Sequence, residues 1–152
     1  MQNYELRGAC IGRSQNSAFC ILHLGGSMAD RSRADVAKDF LQLAASGRAH
    51  EAFAQYAAPN FRHHNAWFPG DGESLMKAMD ENARQNPDKE LTIHRVVEDG
   101  DQVATFAHVR HQRGEPGAAV VHFFRFEGDR IAELWDVGQD VPPNSPNKNG
   151  MF

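Results

Sequence analysis

Four stretches in the second half of the chain read as strands: Leu91 to Glu98, Gln102 to His111, Ala118 to Glu127 and Arg130 to Gln139. Only Asp99-Gly100-Asp101, a Gly-Glu-Pro-Gly loop and Gly128-Asp129 separate them, and short glycine-bearing connections of this kind join antiparallel neighbours. The second half is therefore expected to fold as an antiparallel meander. Such a sheet needs a cover on at least one face.

The preceding residues supply that cover. From Ser32, an N-cap residue, Val36, Phe40, Leu41, Leu43 and Ala44 follow helical spacing until Gly47. A second short helix is expected from about Arg48 to Ala57, ended by Pro59, with Ala52, Phe53 and Tyr56 on one face. Phe61 to Asn65 reads as a short strand before the turn Pro69-Gly70-Asp71-Gly72. A third helix from Glu73 carries Leu75, Met76 and Met79 and stops before Pro87. Three helices followed by a four-strand meander is an α+β pattern.

The 152 residues, 41% hydrophobic and 24% charged, suit one domain. Residues 1–27 show no sustained period and end in Gly25-Gly26-Ser27, so they read as a disordered leader or an over-long start. The working domain is expected over 28–141, with an irregular tail over 142–152, whose Met151-Phe152 is expected to dock and partly cover a pocket mouth. A net charge of -4 with interspersed signs offers no basic stripe for nucleic acid. No apolar run approaches the roughly 20 residues of a membrane helix, and Glu5 and Arg13 interrupt a signal-peptide reading, so the chain reads as cytoplasmic. Cys10 and Cys20 specify neither a disulfide framework nor a zinc site.

Period-2 counting puts Ala104, Phe106, His108 and Arg110 on one face of their strand, and Val120, His122, Phe124 and Phe126 on one face of the next. Each strand thus carries a histidine among apolar neighbours. Such a group is either a satisfied core histidine or a general base or enolate donor in a cavity. His63 and His64 point opposite ways on an extended chain, so only one of them can face a pocket. In the last strand Asp136 alternates with Leu134 and Gly138, and Trp135 with Ile131, Glu133, Val137 and Gln139. Either set can be the inner one, and a bulge would scramble the parity. An inward Asp136 is a candidate acid or base beside a carbonyl. The histidines show no helical His-x-x-x-His or His-Glu-x-x-His spacing, so no metal site is expected.

Taken in order, Tyr56-Ala-Ala-Pro-Asn-Phe-Arg-His-His-Asn65, His94 through Asp101, Val121-His122-Phe123-Phe124-Arg125-Phe126, Ile131 through Trp135-Asp136-Val137, and Asn149-Gly150-Met151-Phe152 form an ordered set. The stretch they span, from about Ala34 onward, resembles the SnoaL-like polyketide cyclases, the predicted aldol-condensation-catalysing group of the nuclear-transport-factor-like superfamily. The resemblance implies a cone of helices packed on a strongly curved antiparallel sheet with a mixed edge, enclosing an apolar pocket. It also implies a homodimer formed through the sheet's outer face, and chemistry that needs neither metal nor organic cofactor. By position, His64 and Asn65 match the family's His-Asn pair, and Trp135-Asp136 its aromatic-Asp pair. His122 stands where the family pattern has an aspartate, which shifts weight to Asp136 or to a histidine base.

The resulting expectation is a lyase, isomerase or cyclase acting on a small hydrophobic or carbonyl-containing molecule. Asp136 or His108 would be the base, with His122 and His64 as hydrogen-bonding partners. Asn65, Trp67, Phe106, Phe124, Trp135 and Gln139 would contact the ligand. Two rivals share the fold: a ligand-binding module without chemistry, and a dimerising scaffold whose pocket is filled by aromatic side chains such as Phe106, Phe124 and Trp67.

Overall fold

The computed structural model describes residues 31–152; the leader of residues 1–27, with Cys10 and Cys20, lies outside the described residues. Helix α1 (Arg33–Ala45) opens at Ser32, whose hydroxyl accepts the Asp35 amide at 3.0 Å and satisfies a donor the first turn would leave free. It stops just before Gly47, which turns the chain at φ 76°. Helix α2 (Ala49–Tyr56) passes directly into strand β1 (Ala57–His63), which starts earlier than expected and includes Pro59. The proline is tolerated because β1 is an edge strand whose register slips between Ala57 and Arg62. Helix α3 (Gly72–Gln85) is capped by Asp71, whose carboxylate accepts the Ser74 amide at 2.8 Å.

The meander follows as β2 (Glu90–Asp99), β3 (Gln102–Arg110), β4 (Ala118–Glu127) and β5 (Arg130–Asp140). The sheet order is β1-β5-β4-β3-β2, antiparallel throughout except that β1 joins β5 in parallel. The parallel pairing is possible because a long connection, α3 and the strands β2 to β4, separates β1 from β5. Three helices cover one face, and the sheet stays open.

Register decides which residues meet, because directly opposed residues share a face. Val103, Phe124 and Leu134 form one inner row; Thr105, His122 and Asp136 form the next. The first row joins Val36, Phe40, Leu41, Tyr56 and Leu75 in the core. Phe40 is fully buried, its ring centroid 5.2 Å from Phe53 and 6.0 Å from Phe124. Truncating a phenylalanine so placed costs about 3–5 kcal/mol. Strict alternation in β5 would set Ile131 beside Glu133, but Phe126 pairs with Ile131 and Arg125 with Glu133, leaving Ala132 as an extra residue. This bulge turns Ile131 into the core and Glu133 outward, and it resolves the open parity: Asp136 lies on the helix-covered face.

The outer face carries Phe106, Val121, Phe123, Trp135 and Val137, with Val97, Val121 and Val137 exposed at 64%, 41% and 72%. The tail docks here. Phe152 stacks on His108 at 4.2 Å and on His94 at 4.9 Å, so it covers outer sheet and not a pocket mouth. Among the described residues no helix is long and apolar enough to cross a membrane.

Candidate active site

Between α3 and the inner face of β4 and β5 lies a pocket of about 180 Å³. Its apolar wall is Phe68, Leu75, Ala78, Met79 and Leu134; its polar groups are Asn65, Asn82, Lys89, His122 and Asp136. Leu75, Ala78, Met79 and Asn82 recur at helical spacing, so α3 turns one continuous stripe toward the sheet.

Asp136 is held by one residue. Asn65 donates from Nδ2 to both carboxylate oxygens, at 2.8 and 3.1 Å, while its Oδ1 accepts the Trp67 amide at 2.9 Å. The backbone amide thereby fixes which end of the Asn65 side chain faces the carboxylate. The loop bearing Asn65 is pinned in turn by buried His63, whose Nε2–H donates to the Pro69 carbonyl at 2.6 Å while Nδ1 accepts the Asn65 amide at 3.2 Å. The His64 amide adds a bond to the Leu134 carbonyl at 2.9 Å.

His122 stands directly opposite Asp136 on the neighbouring strand, yet among the described residues no hydrogen bond joins the two side chains. Its ring is partly buried and lines the pocket. Burial pushes its pKa down from 6.5 to about 4, and the nearby Lys89 charge adds to the shift, so the imidazole is neutral at pH 7. Thr105, itself buried, sets its hydroxyl 3.5 Å from His122 Nδ1, a long contact. With Thr105 donating, Nε2 carries the ring proton and is the donor left for a ligand. Lys89 donates to Asn82 Oδ1 at 2.7 Å, and burial lowers its pKa as well.

Residues 37–134, well over half the chain, match the SnoaL-like domain. The chain belongs to the SnoaL-like family. Among curated proteins none matches the sequence. Solved structures of the same fold include IdmH from Streptomyces antibioticus, proposed to be a polyketide cyclase: 21% identity, covering 71% of this chain and 92% of that one, TM-score 0.58. A protein from Kribbella flavida proposed to be a ketosteroid isomerase is 18% identical over 76% of this chain and 84% of its own, TM-score 0.59. A nuclear-transport-factor-like protein of unknown function from Cytophaga hutchinsonii is 16% identical over 71% and 90%, TM-score 0.58. At such identities these likenesses establish the α+β cone and nothing finer.

Within this SnoaL-like domain the residues singled out in the sequence are dispersed. Asp136, His122 and Asn65 meet in the pocket. His108 is on the opposite face of the sheet, its Nε2 2.7 Å from the Pro116 carbonyl and its ring against Phe152. His64 also turns outward, stacked on Trp135 at 4.5 Å with planes 2° apart, its Nε2 2.8 Å from Glu133 Oε1. Of the expected aromatic contacts, Phe106 and Trp135 face outward, Phe124 is sealed in the core, and Trp67 is 86% exposed. Gln139 is exposed on the outer row of β5. Two polar pocket residues, Lys89 and Asn82, are absent from the sequence-derived set, as are the apolar wall residues. Asn82 was legible as a polar residue seven positions after Leu75 on an apolar helical stripe; a single lysine after Pro87-Asp88 carries no such signal.

Glu133, on the outer face behind the pocket, is a buried carboxylate bound by three different side chains. Its side chain is 7% exposed and accepts from Arg62 Nε at 2.5 Å, His64 Nε2 at 2.8 Å and Arg125 Nε at 2.8 Å. These bonds, Arg62 first, hold its pKa near 2, down from 4.5. Because the folded value is the lower one, the stabilisation is complete above pH 4.5 and is lost as pH falls from 4.5 toward 2. Glu133→Gln is expected to melt about 4 °C or more below wild type at pH 7. Thermal unfolding across pH should show that gap narrowing toward pH 2; a gap of constant size would contradict this account.

Proposed function

We propose that this SnoaL-like protein catalyses proton transfer next to a carbonyl, as an isomerase, lyase or cyclase of a small organic molecule. Asp136 acts as the base. The observation that carries the reading is a carboxylate facing an apolar pocket, oriented by Asn65, with no cation paired to it among the described residues. A carboxylate needed only for structure would be closed off by an arginine or a set of amides, as Glu133 is. Asp136 keeps lone pairs available.

In this mechanism Asp136 takes a proton from the carbon beside the carbonyl. Charge moves to the carbonyl oxygen, where the neutral imidazole of His122 donates its remaining N–H. The low pKa belongs to the imidazolium, so the ring stays neutral; its N–H is a far weaker acid and hydrogen-bonds the enolate without surrendering its proton. Asp136 then returns the proton to another carbon, or the enolate attacks an electrophile in the same molecule. The wall of Leu75, Met79 and Leu134 keeps water from competing for the proton. Such chemistry proceeds with side chains of this chain alone. At about 180 Å³ the pocket is below the roughly 300–1,000 Å³ of pockets for drug-sized ligands, which favours a compact substrate.

Exchange of α-protons for deuterium, followed by NMR over a panel of small ketones, β-diketones and hydroxylated aromatic compounds, tests this without knowledge of the product. Wild type is expected to accelerate exchange for at least one class, and Asp136→Asn to lose about 100-fold or more. Acceleration that survives Asp136→Asn, or none in wild type, would remove the reading.

We further propose that two copies pair through the outer face. The exposed Val97, Val121 and Val137, flanked by Phe106 and Phe123, form an apolar strip that a second sheet would bury. Sedimentation should give a dimer for wild type and a monomer for Val137→Lys; a monomeric wild type would refute the pairing.

A further inference from the structure

Lys89 is a charged pocket residue with no place in that mechanism. It enters from the segment before β2 and lines the same cavity as Asp136 and His122; among the described residues its ammonium hydrogen-bonds only to the neutral amide of Asn82, at 2.7 Å. Its ammonium has three N–H donors, so two remain. Among the described residues no carboxylate pairs with it, although it is partly buried.

The neighbouring cations are arranged differently. A wider, open groove of about 880 Å³ runs along the other side of α3 and shares Lys89 with the pocket. Of its remaining cations, Lys77 pairs with Glu73 and Arg84 with Glu81. Those pairs lie on the surface and stabilise little. Lys89 is a partly buried cation with no carboxylate partner among the described residues, an arrangement that a ligand's negative charge would favour. Asp136, hydrogen-bonded by Asn65, makes no salt bridge to Lys89.

We infer that Lys89 is an anion-binding residue of the pocket, and that the substrate is a small carbonyl compound bearing a carboxylate. This rests on the proposed proton transfer at Asp136 and names the class of molecule that undergoes it. A carboxylate at Lys89 would orient the ligand along the pocket, placing its acidic carbon at Asp136 and its carbonyl oxygen at His122. Asn82, rigid on α3, positions the ammonium.

Benzoate and benzamide, nearly identical in shape and different in charge, probe the inference without turnover. NMR titration of the full chain should give benzoate binding about 10-fold or more tighter than benzamide, the range expected of a charge-assisted hydrogen bond. Lys89→Met should abolish that preference and leave benzamide affinity within about twofold, whereas Lys89→Arg should retain it. The same spectra should show the His122 pKa rising in Lys89→Met, because a neighbouring positive charge is gone. Equal binding of the two probes by wild type, a preference that persists in Lys89→Met, or no binding of either would overturn the inference. Asp136-dependent α-proton exchange of neutral ketones would survive any of these results, so the two readings can fail separately.

Discussion

Antiparallel strands with one face buried have little freedom of register, and here that register sets Thr105, His122 and Asp136 side by side across three strands. A slip of one residue would send His122 and Asp136 to the outer face and bring Phe123 and Trp135 into the pocket. The bulge at Ala132 protects this alignment: it lets Ile131 fill the core and Glu133 face outward within one continuous strand. Behind it, the Arg62, Arg125 and His64 bonds to Glu133 tie β1, β4 and β5 together on the side opposite the pocket.

Inside the pocket the balance is electrostatic. A carboxylate and an ammonium share a small apolar space, where their attraction is stronger than in water. Each is held by an asparagine: Asn65 on Asp136, oriented by the Trp67 amide, and Asn82 on Lys89, set by α3. Had the charges collapsed into a pair, the pocket would be closed and inert. His122, lining the same pocket, stays neutral because burial and the nearby Lys89 charge both disfavour its cationic form.

The architecture was legible because its signals are local. Ser32 and Asp71 cap helices, Gly-containing turns separate the strands, and period-2 alternation sorted both β3 and β4 into the faces observed. The site was legible only in part. Asp136, His122 and Asn65 were named, but His108 was grouped with His122 although Thr105, not His108, is the cross-strand partner. Alternation gives the faces of one strand without saying how two strands are phased. In β5 even the faces depended on a bulge with no glycine to announce it. His64 and Asn65, adjacent in sequence, part at the end of β1, where the chain leaves the sheet for the pocket rim. Lys89 carries no sequence signal, because what distinguishes it is its surroundings in the fold.

The central claim is that one small pocket gathers the chemistry of this SnoaL-like domain. Soaking crystals with acetylacetone, a compact 1,3-diketone with an acidic central carbon, tests it most directly. The account predicts density in the pocket with that carbon about 3.5 Å or less from an Asp136 oxygen and a ketone oxygen turned to His122. Density seated only on the outer face by His108 and Phe152, or a pocket that stays closed to the diketone, would contradict it.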